Sequence, residues 1–284
     1  CLQETGSFKA RGAWNQVAQL TPAERAAGVV TTSSGNHGKA LAWAARRAGV
    51  RATVVMPADA YPNKIQACRE LGAEVVLGRD RAEAEELCRA LVAAGATLVH
   101  PYDAERTIQG AGTAGLEVAE DWPELDVLVV PVGGGGLIAG CALAMRQALG
   151  GRVAVVGVEP AGAPTLTRAL ERGEPVVLER IETRVQGLCP PSAGRLNTEI
   201  CTTLAHSVHT LPDGPIFAAQ AELVRRGGWT VEPAGAAAVA LVLERALPEE
   251  LYENRGADRP LRVAAIVSGG NPDPEQLAAV RGRT

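Results

Sequence analysis

The chain has 284 residues, 46% apolar and 21% charged, the balance of a folded globular protein, which excludes disorder and coiled coil and fits two domains at roughly 150 residues each. A formal charge of −4 leaves no basic surplus to neutralise a phosphate backbone, so no nucleic-acid partner is expected. Residues 127–145 are uncharged, but Pro131 and five glycines interrupt them, so no membrane span is expected either.

In chain order, short β-branched runs alternate with Ala-rich amphipathic segments: 28–32 then 37–48, 52–56 then 62–71, 74–77 then 81–94. The rhythm continues through 97–100, 107–121, 126–132, 137–149 and 153–158. This is the punctuation of βαβ units. The unbroken apolar run Val127-Leu128-Val129-Val130 suits a parallel sheet covered on both faces. The pattern loosens between about 160 and 215, where Pro160, Pro164, Pro175, Pro190 and Pro191 fall. Helices are expected again at 215–227 and 233–247, and a last strand at 261–267. The expected fold is α/β and doubly wound.

Six cysteines lie far apart with no CxxC pair, which reads as reduced thiols in a cytoplasmic protein. The chain opens on Cys1 without a methionine, so a natural beginning is expected to be missing.

Four glycine-bearing segments concentrate the chemistry. Thr5-Gly6-Ser7-Phe8-Lys9-Ala10-Arg11-Gly12-Ala13 places a lysine at the start of a helix; in isolation it also reads as a helix capped by Ser7 beside a solvated lysine. Ser33-Ser34-Gly35-Asn36-His37-Gly38 joins a strand to a helix, and the backbone N–H groups there suit a carboxylate or phosphate, or simply form a capped turn. Gly133-Gly134-Gly135-Gly136 follows an apolar strand and opens a helix. With no side chain to keep an oxyanion away, it reads as a phosphate seat. Ser268-Gly269-Gly270-Asn271 ends a strand where open α/β sheets bind ligands. One competing reading joins Gly134, Gly136 and Ala139 with Glu159, 20 residues on, as a dinucleotide fingerprint. Against it, three βαβ units precede the loop, and a single phosphate with a lysine elsewhere suits pyridoxal phosphate better.

Taken together, GSFKxRGA, SSGNHG, GGGGL and SGGN, in this order across nearly the whole chain, resemble the fold type II pyridoxal-phosphate enzymes of the tryptophan synthase β-like group. Within it the serine/threonine dehydratase and serine racemase family is the nearest match. The resemblance implies two doubly wound domains, a small one at 28–104 and a large one formed by 1–27 and 105–284, with the cofactor between them. It implies that Lys9 carries pyridoxal 5'-phosphate as a Schiff base and that Phe8 packs beside the ring. Asn36 would bond the ring hydroxyl, Gly133, Gly134, Gly135, Gly136 and Leu137 would cradle the phosphate, and Ser268 would meet the pyridine nitrogen. Ser33, Ser34, Gly35 and His37 would form the loop that grips the substrate carboxylate, and Gly187 and Glu232 would line the site.

The implied reaction is elimination: an ammonia-lyase turns L-threonine, L-serine or a related β-hydroxy amino acid into a 2-keto acid and ammonia, with Lys9 removing the α-proton. Ser34 matches the residue acting on the opposite ring face in serine racemases, so racemisation is the alternative. The resemblance also implies a homodimer and a divalent cation, Mg or Ca, on Glu159 and the Ala163 carbonyl. Thr165 stands where the family's third ligand, an Asp, would be, which weakens an oxygen-rich site; a plain strand-end surface acid is the other reading of Glu159. The family carries a longer segment before its lysine. Few residues follow Asn271, so no regulatory domain is expected.

Overall fold

Val29 and Val30 are both buried, and they belong to different apolar clusters. Val29 packs with Ala40, Leu41, Ala44 and Val54, and Val30 with Val55, Ala84 and Cys88. Successive side chains of a strand point to opposite faces, so this strand is covered on both sides, as a parallel sheet requires. In the computed structural model, which describes residues 1–253 and 258–282, the chain divides into two units, Gln3–Gly110 and Cys1–Leu2 with Ala111–Thr284. The last two residues of the expected large domain lie outside the described residues.

The smaller unit runs α1 (Lys9–Ala18), α2 (Pro22–Ala27), β1 (Val29–Thr32), α3 (Asn36–Ala48), β2 (Ala52–Pro57), α4 (Pro62–Glu70), β3 (Glu74–Gly78), α5 (Arg81–Ala93) and β4 (Thr97–Leu98). Its sheet is parallel with order β3-β2-β1-β4. Residues 3–27, expected with the large domain, pack within this unit. The reason is apolar: Ala13 and Val17 of α1 join Leu41 and Ala45 of α3 in one cluster, and the Trp14 and Trp43 rings lie 5.9 Å apart.

Helix α6 (Glu105–Asp121) carries the chain onward. The larger unit runs β5 (Val127–Pro131), α7 (Gly136–Leu149), β6 (Ala154–Pro160), α8 (Thr165–Arg172), α9 (Arg195–Leu204), β7 (Ser207–Leu211), α10 (Asp213–Arg225), α11 (Pro233–Leu243), β8 (Val263–Ala265) and α12 (Pro274–Gly282). Its sheet is parallel with order β7-β6-β5-β8. Val127, Val129, Val156 and Val158 bury one face against α10 and α11.

Both sheets have the same winding. In each, the first strand of the sheet pairs with the second on one side and with the last on the other, so the order reverses beside the first strand. Open α/β sheets bind ligands at that reversal, outside the carboxyl ends of the strands. The loops that leave β1 and β4, and those that leave β5 and β8, are therefore where each unit offers a site.

Candidate functional site

In the smaller unit Lys9 is the first residue of α1. Its Nζ donates to the carbonyl of Pro101 at 2.6 Å and lies 5.0 Å from the Phe8 ring centroid and 6.0 Å from that of Tyr102. Burial lowers the ammonium from 10.5 to about 8, because no counter-charge offsets the lost hydration. Pro101 follows β4 in a braced turn. The His100 Nδ1 accepts from the Tyr102 and Asp103 N–H groups at 3.3 and 2.8 Å, and the Thr107 hydroxyl donates to the His100 carbonyl at 3.0 Å. The sequence marks 97–100 only as a strand; the site role of Val99 and Pro101 is not legible there because they act through backbone carbonyls, which leave no side-chain signature.

His37 lies in the first turn of α3 and is 2% exposed. Its Nε2 is 2.9 Å from the carbonyl of Val99. A carbonyl only accepts, so Nε2 carries the proton. Burial, and then the nearby Lys9 charge, push the ring's pKa down to about 3, so the imidazole is neutral and Nδ1 is a bare acceptor. That atom is buried and has no hydrogen-bond partner among the described residues. A neutral ring with its Nε2 proton on the Val99 carbonyl has no proton to donate elsewhere, which leaves the His37 backbone N–H as the donor this residue can offer.

The rest of that loop is built from backbone. The Ser33 N–H donates to the Val55 carbonyl at 3.0 Å and the Gly35 N–H to Ser33 Oγ at 3.3 Å. No side chain caps α3, whose N-cap is Gly35, so the helix N-terminus keeps N–H groups for an anion. Ser33, Gly35 and Asn36 are half-buried, and Ser34 is exposed. Ser7 does not cap α1: Phe8 is the N-cap, without a side-chain bond, and the Ser7 hydroxyl is buried and unpartnered among the described residues.

In the larger unit the four glycines join β5 to α7, and their carbonyls turn into the protein. The Gly133 carbonyl faces the Thr165 hydroxyl at 2.9 Å, that of Gly134 accepts from Asn197 Nδ2 at 2.7 Å and the Gly194 N–H at 3.0 Å, and that of Gly135 from the Ala139 N–H at 3.0 Å. Among the described residues the N–H groups of Gly133 to Leu137 make no backbone hydrogen bond. Gly135 has φ +90°, and a Cβ there would lie 2.9 Å from the Asn197 Cβ. The loop thus needs glycine at 135 and leaves a row of backbone donors without a backbone partner among the described residues.

The other expected residues of this unit gather on the same loop. A Cβ on Gly133 would lie 3.3 Å from the Gly187 carbonyl, and one on Gly187, with φ +95°, 3.1 Å from the Ala234 Cβ. Glu232 precedes α11, and its N–H donates to the Gly269 carbonyl at 3.1 Å. Ser268, beyond β8, is buried.

Glu159 fits none of its three sequence readings. It is the penultimate residue of β6 and fully buried, with 0% exposure, so it is no surface acid. One carboxylate oxygen faces the Leu166 N–H at 2.7 Å and the Thr165 hydroxyl at 3.0 Å; the other accepts from the Thr167 N–H at 2.9 Å and the Thr167 hydroxyl at 2.7 Å. Burial raises its pKa and these bonds oppose the rise. The Ala163 carbonyl accepts the Thr165 N–H at 2.9 Å. Among the described residues no group of three or more His, Cys, Asp or Glu is placed to hold a metal. The donor set does not fit the implied divalent cation: its one carboxylate already faces two donors on each oxygen, and its carbonyl is engaged.

The same bonds remove Glu159 as the ribose-binding acid of a dinucleotide site. Three βαβ units precede the glycine loop along the chain, but β5 is the first strand of its own sheet, so position in the chain does not exclude a dinucleotide loop; the bonds of Glu159 do.

Comparison with known proteins decides between the cofactors. The profile of a family described as pyridoxal-phosphate dependent enzyme matches residues 1–269. The chain belongs to this family. It is 39% identical over 278 residues to the L-threonine ammonia-lyase of Thermotoga maritima, covering 97% of this chain and 67% of that protein. Its fold is similar to the processed form of threonine deaminase isoform 2 from Solanum lycopersicum, with a TM-score of 0.90 and 33% identity over 98% of this chain and 80% of that one. It is also similar to maize serine racemase, with a TM-score of 0.88 and 32% identity over 98% of this chain and 84% of that one. A pyridoxal-phosphate dependent enzyme needs an amine to hold the aldehyde and donors to hold the phosphate. Lys9, depressed toward neutrality, and the N–H groups of 133–137, which make no backbone hydrogen bond among the described residues, fit those two needs.

Proposed function

We propose that this chain is a pyridoxal-phosphate dependent ammonia-lyase that converts L-threonine, L-serine or a related β-hydroxy amino acid to a 2-keto acid and ammonia. The observation that carries the reading is Lys9: a partly buried amine with its pKa lowered to about 8, held on a backbone carbonyl. Such an amine is nucleophilic near neutral pH and serves as the base for a carbon acid.

The smaller unit supplies Lys9, which moves the α-proton, Phe8 beside the ring, and Asn36 for the ring hydroxyl. It also supplies the N–H groups of Ser33, Ser34, Gly35 and His37 to orient the substrate carboxylate. The larger unit supplies the donors of Gly133, Gly134, Gly135, Gly136 and Leu137 for the phosphate, the Ser268 hydroxyl for the ring nitrogen, and Gly187 and Glu232 as lining. Pyridoxal phosphate, when bound, supplies an electron sink for the carbanion. A hydroxyl at the ring nitrogen holds less positive charge there than a carboxylate would, which favours early loss of the β-hydroxyl and hence elimination. The divalent cation is not carried into this reading. Six cysteines, none of them in a disulfide among the described residues, support a reducing, cytoplasmic setting, and the family resemblance supports a homodimer.

The test is an absorbance titration of the protein with pyridoxal phosphate, borohydride reduction with peptide mapping, and a keto-acid screen against β-hydroxy amino acids. A yellow protein trapped on the Lys9 peptide, releasing 2-oxobutyrate from L-threonine or pyruvate from L-serine, is expected. Trapping on another lysine, or no keto acid from any of these substrates, overturns the reading.

A further inference from the structure

A buried network stands behind the glycine loop. The Thr165 hydroxyl oxygen lies 2.9 Å from the Gly133 carbonyl oxygen and 3.0 Å from a Glu159 carboxylate oxygen. Thr165 and Glu159 are both 0% exposed. The hydroxyl has one proton for these two acceptors, so it donates to one of them at a time while staying wedged between both. On its far side Glu159 is fixed by the first turn of α8, through the Leu166 and Thr167 N–H groups and the Thr167 hydroxyl. The route from the loop is therefore Gly133 carbonyl, Thr165 hydroxyl, Glu159 carboxylate, α8, with no exposed member.

A carboxylate has about four acceptor positions, and Glu159 faces four donors. A divalent cation seated on it would have to displace helix N–H groups, which have no other acceptor, and would meet a neutral hydroxyl in place of a second charge. We propose that Thr165 is a positioning residue of the phosphate loop, and that the Glu159–Thr165–Thr167 network replaces a divalent cation as the support of that loop. Cofactor retention by this chain is then independent of such a cation. Thr165 touches neither cofactor nor substrate; it sets the Gly133 carbonyl, and with it the peptide whose N–H group continues the loop.

Because this deepens the proposed cofactor site, it is tested by two readouts, one of which needs no cofactor. In the first, the melting temperature of the full chain, with and without pyridoxal phosphate, is compared in EDTA and in millimolar Mg²⁺ or Ca²⁺ at matched ionic strength. No shift is expected; a rise specific to either cation overturns the proposal, whether or not pyridoxal phosphate binds. In the second, the pyridoxal phosphate dissociation constant is measured for wild type, Thr165→Val and Thr165→Ser. Thr165→Val keeps the shape and removes the hydroxyl, taking away the one proton that the Gly133 carbonyl and the Glu159 carboxylate share, and should bind about five- to tenfold more weakly. Thr165→Ser restores the hydroxyl and should lie within about twofold of wild type. Wild-type affinity in Thr165→Val, or equal loss in Thr165→Ser, overturns the positioning role. A wild-type chain that binds no pyridoxal phosphate defeats the proposed function instead, and the cation readout then decides for the network.

Discussion

The Nζ of Lys9 donates to the carbonyl of Pro101 at 2.6 Å, across 92 residues of sequence, and this bond ties the start of α1 to the turn after β4. The turn is braced by His100 and Thr107, so the amine is held on a fixed acceptor and not on a carboxylate. An acid there would keep the amine charged. A carbonyl leaves the lowering by burial in place.

Lys9 should therefore show opposite signs in function and stability. Lys9→Met is expected to abolish turnover and to raise the melting temperature of the cofactor-free chain at pH 7, by about 2–4 °C for each kcal/mol recovered. Below pH 8 the folded chain must hold a desolvated ammonium. Between about 8 and 10.5 the unfolded chain binds the extra proton, so the wild-type stability deficit shrinks as pH rises and that of Lys9→Met has no such component. The rate at which the cofactor-free wild type takes up pyridoxal phosphate should rise about tenfold per pH unit and flatten near pH 8. A rate still climbing at pH 10 contradicts the lowered amine.

His37 predicts an acid-labile fold. Its folded pKa is about 3 against 6.5, so between those values the unfolded state binds more protons and stability falls as pH drops. Acid unfolding of the cofactor-free chain, followed by circular dichroism, should be displaced to lower pH in His37→Gln, whose amide can still donate to the Val99 carbonyl. The same midpoint in both proteins would mean that the ring is not held neutral.

The glycine loop and the serine loop should respond differently to one methyl group. Gly135→Ala forces φ +90° on a side chain that would lie 2.9 Å from Asn197 Cβ, a cost of about 1–3 kcal/mol. A loss of tenfold or more in pyridoxal phosphate affinity is expected. Gly35 has φ −127° and nothing within 4 Å of a built Cβ, so Gly35→Ala should leave the melting temperature unchanged. A melting temperature lowered as far by Gly35→Ala as by Gly135→Ala would mean that loop geometry is not what separates them.

How far the sequence could be read follows from the same residues. Strands β1, β2, β5 and β6 are legible because their β-branched runs are largely buried on both faces, as Val29 and Val30 are. Helices α8 and α9 and strand β7 were not, because prolines interrupt the periodicity between 160 and 215 and because β7 is only half-buried, leaving no apolar run. Lys9 and the four glycines stood out as side-chain chemistry or its absence. The Val99 to Asp103 turn did not, nor did the bonds of Thr165 and Thr167, since spacing cannot tell whether a hydroxyl meets a cation, water or a buried carboxylate. Glu159 shows the limit: its distance along the chain suited a ribose or a metal, and only the fold places α8 on its carboxylate.

Ser34 offers the sharpest distinction between the two activities found among similar proteins. It is exposed at the tip of the β1–α3 loop, between the half-buried Ser33 and Gly35, and its side chain is not used in holding that loop, whose side-chain bond comes from Ser33. Removing its hydroxyl should therefore leave the backbone N–H groups in place. If the hydroxyl delivers a proton to the face opposite Lys9, Ser34→Ala should suppress racemisation of L-serine by about 10²-fold or more. Elimination, which needs only the Lys9 face, should change severalfold at most. The measurement is solvent deuterium exchange at the α-carbon, with chiral analysis of recovered serine beside keto-acid release. Equal loss of exchange, inversion and elimination would assign Ser34 to loop shape alone. Wild-type chain that releases keto acid without any inversion would leave the hydroxyl no reaction to serve, and the ammonia-lyase reading would stand by itself.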